Sequence, residues 1–505
     1  MQERSVIIIG AGLAGLSAGC YAQMNGYQSH IFEHHSKPGG LAAAWRRGQY
    51  QIDGGIHFLI AHRPGSAIYD VYRELGAVEA GTCVDMERYM RFIDEASGLK
   101  VDFTQDLDKL ADDLKAISPE DAKSVDSFIE EVRRLKDSPL LLDMGMGLPP
   151  ELKSKLGELR EVWAMRGFFR YFVGRYSKSA AEYARTLHNP FMRVMFENLF
   201  SPDGPTWFII MMIATVAAGQ LGLLEGGCPG FVLPIEKRYK ELGGEITYDS
   251  TVEEILVEDD KAVGVRLKDG TEHRADVIVS AADGRSTIFK MLGGRYVSEV
   301  MRKRYSTWKQ YAPTVIMSYG VKRTFDDEPP LNMFLLKRPL RLGNREISCM
   351  PLRVLNYSDK FAPPGKTVIQ VMLETEWDYW DGLARNRSAY EGEKERIAAE
   401  VLNRLEEHYP GLGSQVEMTD VATPYTTWRY TLNHEGSPMG WMMTTQTMVA
   451  QISRSLPGLR DFYMAGQWVL PGGGVPGCIY SGRHVIQILC HKDGVTFRTS
   501  ATLDS

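Results

Sequence analysis

The sequence predicts an α/β fold in which a Rossmann-type domain is interleaved with an α+β domain. The first observation behind this prediction is the apolar run of residues 6–9, which is followed at once by a G-x-G-x-x-G pattern that begins at Gly10. The second is the length of 505 residues, which is too long for one compact core. The third is the return of similar strand, turn and helix patterns at residues 220–290 and 457–493.

Each glycine of the N-terminal pattern has a steric reason. Gly10 lets the strand turn, Gly12 removes the Cβ that would keep a pyrophosphate off the backbone, and Gly15 lets the next helix lie close to the sheet. Residues 29–32 form the predicted second strand, and Glu33 at its end is placed to accept hydrogen bonds from a ribose 2′-hydroxyl. This acid disfavours a 2′-phosphate and therefore NADP, whereas the pattern alone leaves NAD and FAD open.

The next stretch, HHSKPGGLAAAWRRGQYQIDGGIHFL, contains the glycine pair Gly39 and Gly40 and then a D-x-G-x-H run from Asp53 to His57. It resembles the FAD-dependent amine oxidase and phytoene desaturase superfamily. The string DGGIHFL is most similar to the carotenoid isomerase and retinol saturase branch. The resemblance implies a GR2-like FAD-binding domain, a glycine pair along the flavin and a second run that leads out towards the substrate.

The last motif is DFYMAGQWVLPGGGVPGCIYSGRHVIQILC. A short buried strand is predicted at residues 462–465, Gly466 ends it, and Val475 and Pro476 open a helix, with proline near its first turn. The segment resembles the C-terminal flavin motif of phytoene desaturases. The resemblance implies that the N-terminus of this helix points at flavin N1 and C2=O, where negative charge accumulates on reduction.

Two positions depart from the family pattern. Many relatives carry Arg directly after the glycine pair, where this chain has Leu41, so whether Arg46 or Arg47 contacts the pyrophosphate is left open. Relatives often carry Asp or Glu where this chain has Gln467. In this family the residue that matches Val252 holds the adenine through its backbone. The predicted FAD contacts are Gly10, Gly12, Leu13, Ala14, Gly15, Glu33, Gly39, Gly40, Leu41, Asp53, Gly55, His57, Val252, Ala282, Gly466, Gln467, Gly474, Val475 and Pro476.

The chain is predicted to divide into two interleaved domains and a tail. The FAD-binding domain takes residues 1–65, 220–290 and 457–493, the substrate domain takes 66–219 and 291–456, and the tail is 494–505. Predicted helices cover 67–75, 106–114, 119–135 (with Ser118 as N-cap), 234–242 and 388–408. Predicted strands cover 245–248, two strands within 252–268, and 275–280, with a hairpin at 88–103. Strands 313–319, 331–336, 347–352 and 367–373 are expected to form an antiparallel sheet.

The helical part of the substrate domain is expected to lie near a membrane. Residues 206–224 carry no charge, which favours a buried helix lining an apolar substrate cavity, with a dip into one leaflet or a membrane span as the alternatives. Residues 162–187 alternate aromatic side chains with arginines, a pattern that fits core packing or a membrane-surface face.

Composition excludes several partners and places. The net charge is -6 with scattered cations, which gives no footprint for nucleic acid. Six cysteines without a C-x-x-C pattern indicate buried reduced thiols, and no metal site is predicted. With no secretory leader, we expect a cytoplasmic protein, and a peripheral contact with the inner membrane face is left open together with the oligomeric state.

The resemblance implies an FAD-dependent oxidoreductase that acts on a long apolar small molecule, a carotenoid-like polyene. Desaturation, saturation and isomerisation, each with hydride transfer at flavin N5, are all consistent with it. The alternatives are a desaturase or isomerase of a fatty acyl chain, an amine oxidase with Trp441 and Tyr480 in an aromatic cage, and an apolar lipid carrier. The string TPYTTWRY again resembles the carotenoid isomerase branch. His57, Arg429 and Tyr430 are the candidates for positioning or proton transfer near the flavin.

Overall fold

The structure is a computed structural model that describes residues 4–138, 141–142, 147–155, 157, 163, 165–448 and 450–499. Part of the aromatic and arginine-rich stretch and the last residues of the predicted tail, 500–505, lie outside the described residues.

The centre of the molecule is a parallel sheet of five strands. Ser5–Ile9 lies in the middle and pairs in parallel with Gln28–Phe32 on one side and Val277–Ser280 on the other. Glu245–Thr247 and Phe462–Met464 complete the two edges, also in parallel. The inner strands are apolar because both faces of the sheet are buried: one face packs against helices, and the other packs against a small sheet that contains Val252–Glu258 and Lys261–Leu267. The N-terminal and C-terminal motifs are therefore brought together, as the sequence predicts.

Two helices hold these ends in contact. The helix Leu13–Met24 packs against the helix Gly474–Lys492, and a Cβ on Gly482 would lie 2.4 Å from the carbonyl oxygen of Ala14. The Ser17 hydroxyl donates to the carbonyl of Ile479 at 2.7 Å. This close approach requires a glycine at the crossing point.

A second sheet has seven strands, in the order Val416–Ala422, Thr314–Val321, Thr367–Glu374, Arg345–Leu355, Leu331–Leu342, Arg88–Asp94 and Lys100–Thr104. The four strands predicted to form an antiparallel sheet pair antiparallel, but Arg88–Asp94 joins them in parallel with Leu331–Leu342, so the whole sheet is mixed. The long connection between these two strands permits the parallel pairing. The predicted hairpin thus forms one end of the same sheet. The strand Val416–Ala422 was not predicted, because its sequence VEMTDVA is too polar to signal a strand.

The other strands form three small sheets. They are Val252–Glu258, Lys261–Leu267 and Glu272–Arg274 in one sheet, Ala44–Arg47 and Tyr50–Asp53 in the second, and Leu59–Ile60, Leu221–Leu224 and Cys83–Asp85 in the third. The remaining α-helices are Ala67–Glu74, Leu107–Ile117, Ala122–Lys136, Phe169–Phe172, Ala180–Ala184, Pro190–Asn198, Thr206–Ala217, Pro229–Glu241, Glu299–Thr307, Trp377–Ala384, Arg387–His408 and Pro424–Thr431.

Three helix predictions need correction. The helix predicted at 234–242 begins at Pro229, and Pro234 lies inside it. The helix predicted at 119–135 is a short 3-10 turn followed by Ala122–Lys136, and Ser118 does not cap it because its hydroxyl donates to Asp121. The uncharged stretch 206–224 is two elements, since Gly219 turns the chain with a φ of +64° between a helix and a strand. Within the described residues, no helix is long and apolar enough to cross a membrane.

A buried network joins the C-terminal helix to the substrate domain. A guanidinium N–H of Arg454 donates to Nδ1 of His484 at 2.8 Å, and Nε2 of His484 donates to the carbonyl of Gly147 at 2.8 Å. Burial and the positive charge of Arg454 lower the pKa of His484 to about 3. The ring is therefore neutral in the folded protein at ordinary pH.

This network predicts an acid-sensitive stability. The ordinary pKa of histidine is 6.5, so between pH 6.5 and pH 3 the unfolded chain binds a proton at His484 that the folded chain does not. We expect this residue to lower the free energy of unfolding by about 1.4 kcal/mol for each pH unit of that fall. Urea unfolding at several pH values should show a smaller fall in the free energy of unfolding at acid pH for His484→Gln, which keeps one acceptor and one donor. An equal fall in the free energy of unfolding at acid pH for the wild type and the variant would contradict this role of His484.

Candidate functional site

Two glycines form an open cradle at the carboxyl end of the parallel sheet. Gly12 and Gly39 are bridged like neighbouring parallel strands, and a Cβ on Gly12 would meet nothing closer than the carbonyl oxygen of Gly39 at 3.9 Å. Gly12 is also the N-cap of the helix Leu13–Met24, and no side chain accepts a hydrogen bond from the first N–H groups of this helix as a cap. Free N–H groups and the positive helix end are the features that bind phosphate. The space that a side chain would fill fits a pyrophosphate.

Glu33 lies beside this cradle, as the sequence predicts for a ribose acid. Its buried carboxylate accepts the N–H of Ala11 at 2.5 Å and the N–H of His35 at 2.7 Å. Burial raises its pKa, and these two N–H groups oppose the rise. Each carboxylate oxygen retains a second lone pair for a hydroxyl group. The N–H of Ser250 donates to the carbonyl of Glu33 at 2.8 Å, which brings Val252 to the same end of the cradle.

The opposite end of the cradle is formed by the C-terminal motif. The helix Gly474–Lys492 begins without a side-chain cap, so its first N–H groups are available to an anion or a carbonyl. The N–H of Gly466 donates to the Ser481 hydroxyl at 2.6 Å, which fixes the preceding loop on this helix. Gln467 is half-buried, and a Cβ on Gly440 would lie 2.7 Å from its carbonyl oxygen.

Asp53 lies beneath the cradle. The residue is 0 % exposed, and its direct contact with the cofactor stays a prediction. Its Oδ1 accepts the N–H of Cys228 at 3.3 Å, while its Oδ2 has no hydrogen-bond partner among the described residues. Arg353 donates to the Asp53 carbonyl at 3.2 Å and to the Gln370 side chain at 2.9 Å. Burial raises the pKa of Asp53, and the charge of Arg353 opposes the rise.

His57 is half-buried next to this charge. Burial, together with the positive charge of Arg353, holds the pKa of His57 well below its usual value, so the ring is neutral. The loop before it is pressed against the segment after the glycine pair, since a Cβ on Gly55 would lie 2.7 Å from the carbonyl oxygen of Leu41. The next residue, Phe58, packs edge-on against Tyr89 with ring centroids 5.9 Å apart.

Phe58 is the point where the site meets the largest apolar cluster of the substrate domain. The helix Thr206–Ala217 is buried in this cluster, as predicted. The cluster is rich in methionine, whose flexible side chains adapt to irregular apolar shapes. Its buried and half-buried methionines are Met86, Met90, Met192, Met195, Met211, Met212, Met333, Met443 and Met448.

The described groove of about 440 Å³ is not the apolar channel that the sequence predicts. Its lining mixes apolar residues such as Pro229 and Leu233 with charged and polar side chains, among them Arg46, Gln51, Glu225 and Lys360. An apolar chain would leave these groups without water or a partner. A path for an apolar substrate through the methionine-rich cluster is therefore a proposal, and it is taken up below.

A segment of the substrate domain, residues 423–441, crosses the mouth of the cradle; we call it the crossing segment. It begins with the helix Pro424–Thr431, which has a capping box formed by Thr423 and Thr426. Its middle is fixed by the N–H of His434, which donates to Asp283 at 3.0 Å next to Ala282. The TPYTTWRY string is therefore an ordered helix that closes the site on one side.

Arg429 and Tyr430 lie on this helix, but at the other end of the cradle from that expected. Nε2 of His34 bonds to the carbonyl of Arg429 at 2.9 Å, and the Tyr430 ring lies 4.9 Å from the His35 ring. These histidines directly follow Glu33, so both candidates lie at the ribose end and not beside the C-terminal motif. A position near the flavin stays a prediction for these two residues.

Asn433 and Trp468, which the sequence motifs did not identify, anchor the crossing segment. The indole N–H of Trp468 donates to the side chain of Asn433 at 3.1 Å, and that of Trp441 donates to the Trp468 carbonyl at 3.1 Å. Trp468 follows Gln467 directly, and this proximity to the motif was the available signal. Trp441 and Tyr480 are 4 % and 2 % exposed, so neither presents a ring face for an amine oxidase cage.

A sequence profile described as flavin containing amine oxidoreductase matches residues 13–488. The chain belongs to this family. It is an FAD-dependent oxidoreductase. The glycine cradle, the ribose acid and the two uncapped helix N-termini described above fit FAD, and they are the residues that would hold its adenosine, pyrophosphate and ring.

This chain resembles enzymes of polyene metabolism along almost its whole length. It is 24 % identical to the chloroplastic prolycopene isomerase of Daucus carota, over 95 % of this chain and 79 % of that protein. It is 27 % identical to a neurosporene-forming phytoene desaturase of Rhodobacter capsulatus, over 96 % and 93 %. Identity to the all-trans-retinol 13,14-reductase of Danio rerio is 21 %, over 92 % and 82 %.

The fold is similar to that of solved structures of other proteins. An oxidoreductase from Methanosarcina mazei superposes with a TM-score of 0.61 at 17 % identity, covering 96 % of this chain and 100 % of that one. At this identity the similarity establishes the fold alone.

Proposed function

We propose that this oxidoreductase acts on a long apolar polyene of the carotenoid kind, by desaturation, isomerisation or saturation. The observation that carries the proposal is the methionine-rich apolar cluster that reaches Phe58 directly next to His57. The relatives named prolycopene isomerase, phytoene desaturase and retinol reductase support the same substrate class. A fatty acyl chain would fit the same cluster and is the second candidate.

When bound, FAD supplies a group that takes up or returns a hydride. The residues of this chain supply the surroundings. Neutral His57 lines the site without adding a positive charge beside an apolar substrate. Phe58 and the apolar cluster exclude water, and the uncapped N-terminus of Gly474–Lys492 stabilises negative charge in its vicinity.

An anaerobic product assay tests this function. The purified protein is incubated with phytoene, prolycopene, all-trans-retinol or a fatty acyl ester, with its flavin either oxidised or chemically reduced, and the extract is analysed by chromatography and mass spectrometry. Loss of a hydrogen pair identifies desaturation, gain identifies saturation, and an unchanged mass with a new retention time identifies isomerisation. Conversion of the acyl ester alone would favour the second candidate. Recovery of every polyene unchanged in both flavin states would contradict the proposal.

We further propose a peripheral membrane contact through the helical part of the substrate domain. Trp163, Phe169 and Val173 are 67 %, 48 % and 65 % exposed, and the guanidinium of Arg166 lies 3.8 Å from the Trp163 ring centroid. Exposed apolar side chains next to cations suit an anionic bilayer surface.

Sedimentation with anionic vesicles measures this contact. We expect the Trp163→Ser and Phe169→Ser double variant to leave most of the protein in the supernatant, whereas the wild type pellets. Leu233→Ser removes an exposed apolar side chain elsewhere and serves as the matched control. Equal sedimentation of all three proteins would refute the proposed contact.

A further inference from the structure

Arg46 and Arg47 are the two arginines closest to the glycine pair in the sequence, but they do not supply a cation to the cradle. Nε of Arg47 donates to Asp420 at 2.7 Å, and Arg46 lines the polar groove. A pyrophosphate is charged, and hydrogen bonds between a guanidinium and a phosphate are among the strongest that proteins form. The source of a cation for the cradle of Gly12 and Gly39 therefore has to be found elsewhere in the chain.

The crossing segment brings one arginine, Arg429, to the end of the cradle at which Glu33 lies. The carbonyl of Arg429 is fixed by His34, which in turn bonds through Nδ1 to Thr251 at 2.7 Å. His34 directly follows Glu33, and the Glu33 carboxylate accepts the N–H of Ala11, the residue next to Gly12. The backbone of Arg429 is thus held on His34, the residue that directly follows the predicted ribose acid.

The guanidinium of Arg429 has no protein partner in the described part of the chain. No described residue forms an ion pair with it or accepts a hydrogen bond from it, and its one close contact is the ring face of Tyr430, with the guanidinium carbon 5.5 Å from the ring centroid. The side chain is exposed, so its charge is solvated and does not contribute to the stability of the fold. A fixed backbone with an unengaged charged group is the arrangement expected of a ligand contact.

We propose that Arg429 binds the pyrophosphate of FAD from the substrate domain. The cofactor then bridges the parallel-sheet motifs and the crossing segment, so that FAD binding and the closed position of this segment are coupled. The role replaces the catalytic one considered from the sequence, because Arg429 lies at the ribose end of the cradle. The inference rests on FAD as the cofactor and is independent of which substrate the enzyme uses.

Ligand titrations of the FAD-free protein test the proposal. Quenching of flavin fluorescence gives the Kd for FAD and for riboflavin, which lacks phosphate, and competition with FAD gives the Kd for ADP. For Arg429→Gln we expect a Kd about ten- to a hundredfold higher for FAD and ADP, and an unchanged Kd for riboflavin. Arg429→Lys should retain part of the affinity because it keeps the charge but loses the bidentate geometry.

Lys37→Gln is the matched control, since it removes one exposed cation close to the glycine pair. We expect its FAD affinity to stay near that of the wild type. An equal loss in Lys37→Gln would reveal a general field effect and overturn the proposal. So would an unchanged FAD Kd in Arg429→Gln, an equal loss of riboflavin affinity, or a fall in turnover at saturating FAD without a change in Kd. Thermal unfolding of each FAD-free variant confirms that the fold is intact.

Discussion

Replacing Gly12 with valine abolishes FAD binding and leaves the protein folded. Gly12 has a φ of -71° and a ψ of 177°, which any residue adopts, and a Cβ there meets no atom closer than 3.9 Å. The apoprotein therefore accommodates the new side chain. The added methyl groups occupy the space over Gly12 and Gly39 that a pyrophosphate needs. We expect a loss of affinity of more than a hundredfold, or about 3 kcal/mol and above.

The matched variant is Gly15→Ala, three residues further along the same motif. Its Cβ would lie 1.9 Å from the carbonyl oxygen of Gly10, so the helix has to move off the sheet and the protein is strongly destabilised. Fluorescence titration with FAD and thermal unfolding of the apoproteins distinguish the two effects. A Gly12→Val protein that purifies with a full complement of flavin would show that the pyrophosphate lies elsewhere.

Replacing Arg353 with methionine lowers the free energy of unfolding by about 3–5 kcal/mol, because it leaves the buried carboxylate of Asp53 without a compensating charge. The pKa of Asp53 is already raised by burial, and losing Arg353 raises it further. A buried acid with a raised pKa is tolerated when protonated, so the deficit should grow as the pH rises from acid to neutral.

The double variant Asp53→Asn with Arg353→Met should recover part of this loss, which a double-mutant cycle measures directly. Arg338→Met is the control, because Arg338 is exposed and its pair with Glu407 is worth less than about 1 kcal/mol. Urea unfolding of the FAD-free proteins provides the free energies. Equal losses for the single and the double variant would mean that the two residues act independently.

The local motifs could be predicted from the sequence because their glycines determine the backbone conformation of residues that are close by in the chain. The turn after Ser5–Ile9, the position of the Glu33 carboxylate beside that turn and the helix that starts at Gly474 each depend on a few consecutive residues, and all three are found where predicted. The family followed from these motifs for the same reason.

The rest of the site could not be predicted, because it depends on contacts between distant parts of the chain. Arg353 reaches Asp53 from a strand 300 residues later, and no local pattern marks that strand as its neighbour. The position of Arg429 follows from a bond to His34, 395 residues earlier. The parallel pairing of Arg88–Asp94 likewise arises from tertiary packing, since sequence periodicity identifies a strand but not its partner.

The central claim is that one FAD lies in the glycine cradle with its ring between the C-terminal motif and His57, where the apolar cluster begins. A crystal structure of the FAD complex tests this most directly. We expect density for the pyrophosphate over Gly12 and Gly39, with flavin N5 facing His57 and Phe58. A flavin ring turned towards solvent, or placed in the polar groove beside Arg46 and away from Phe58, would contradict the account.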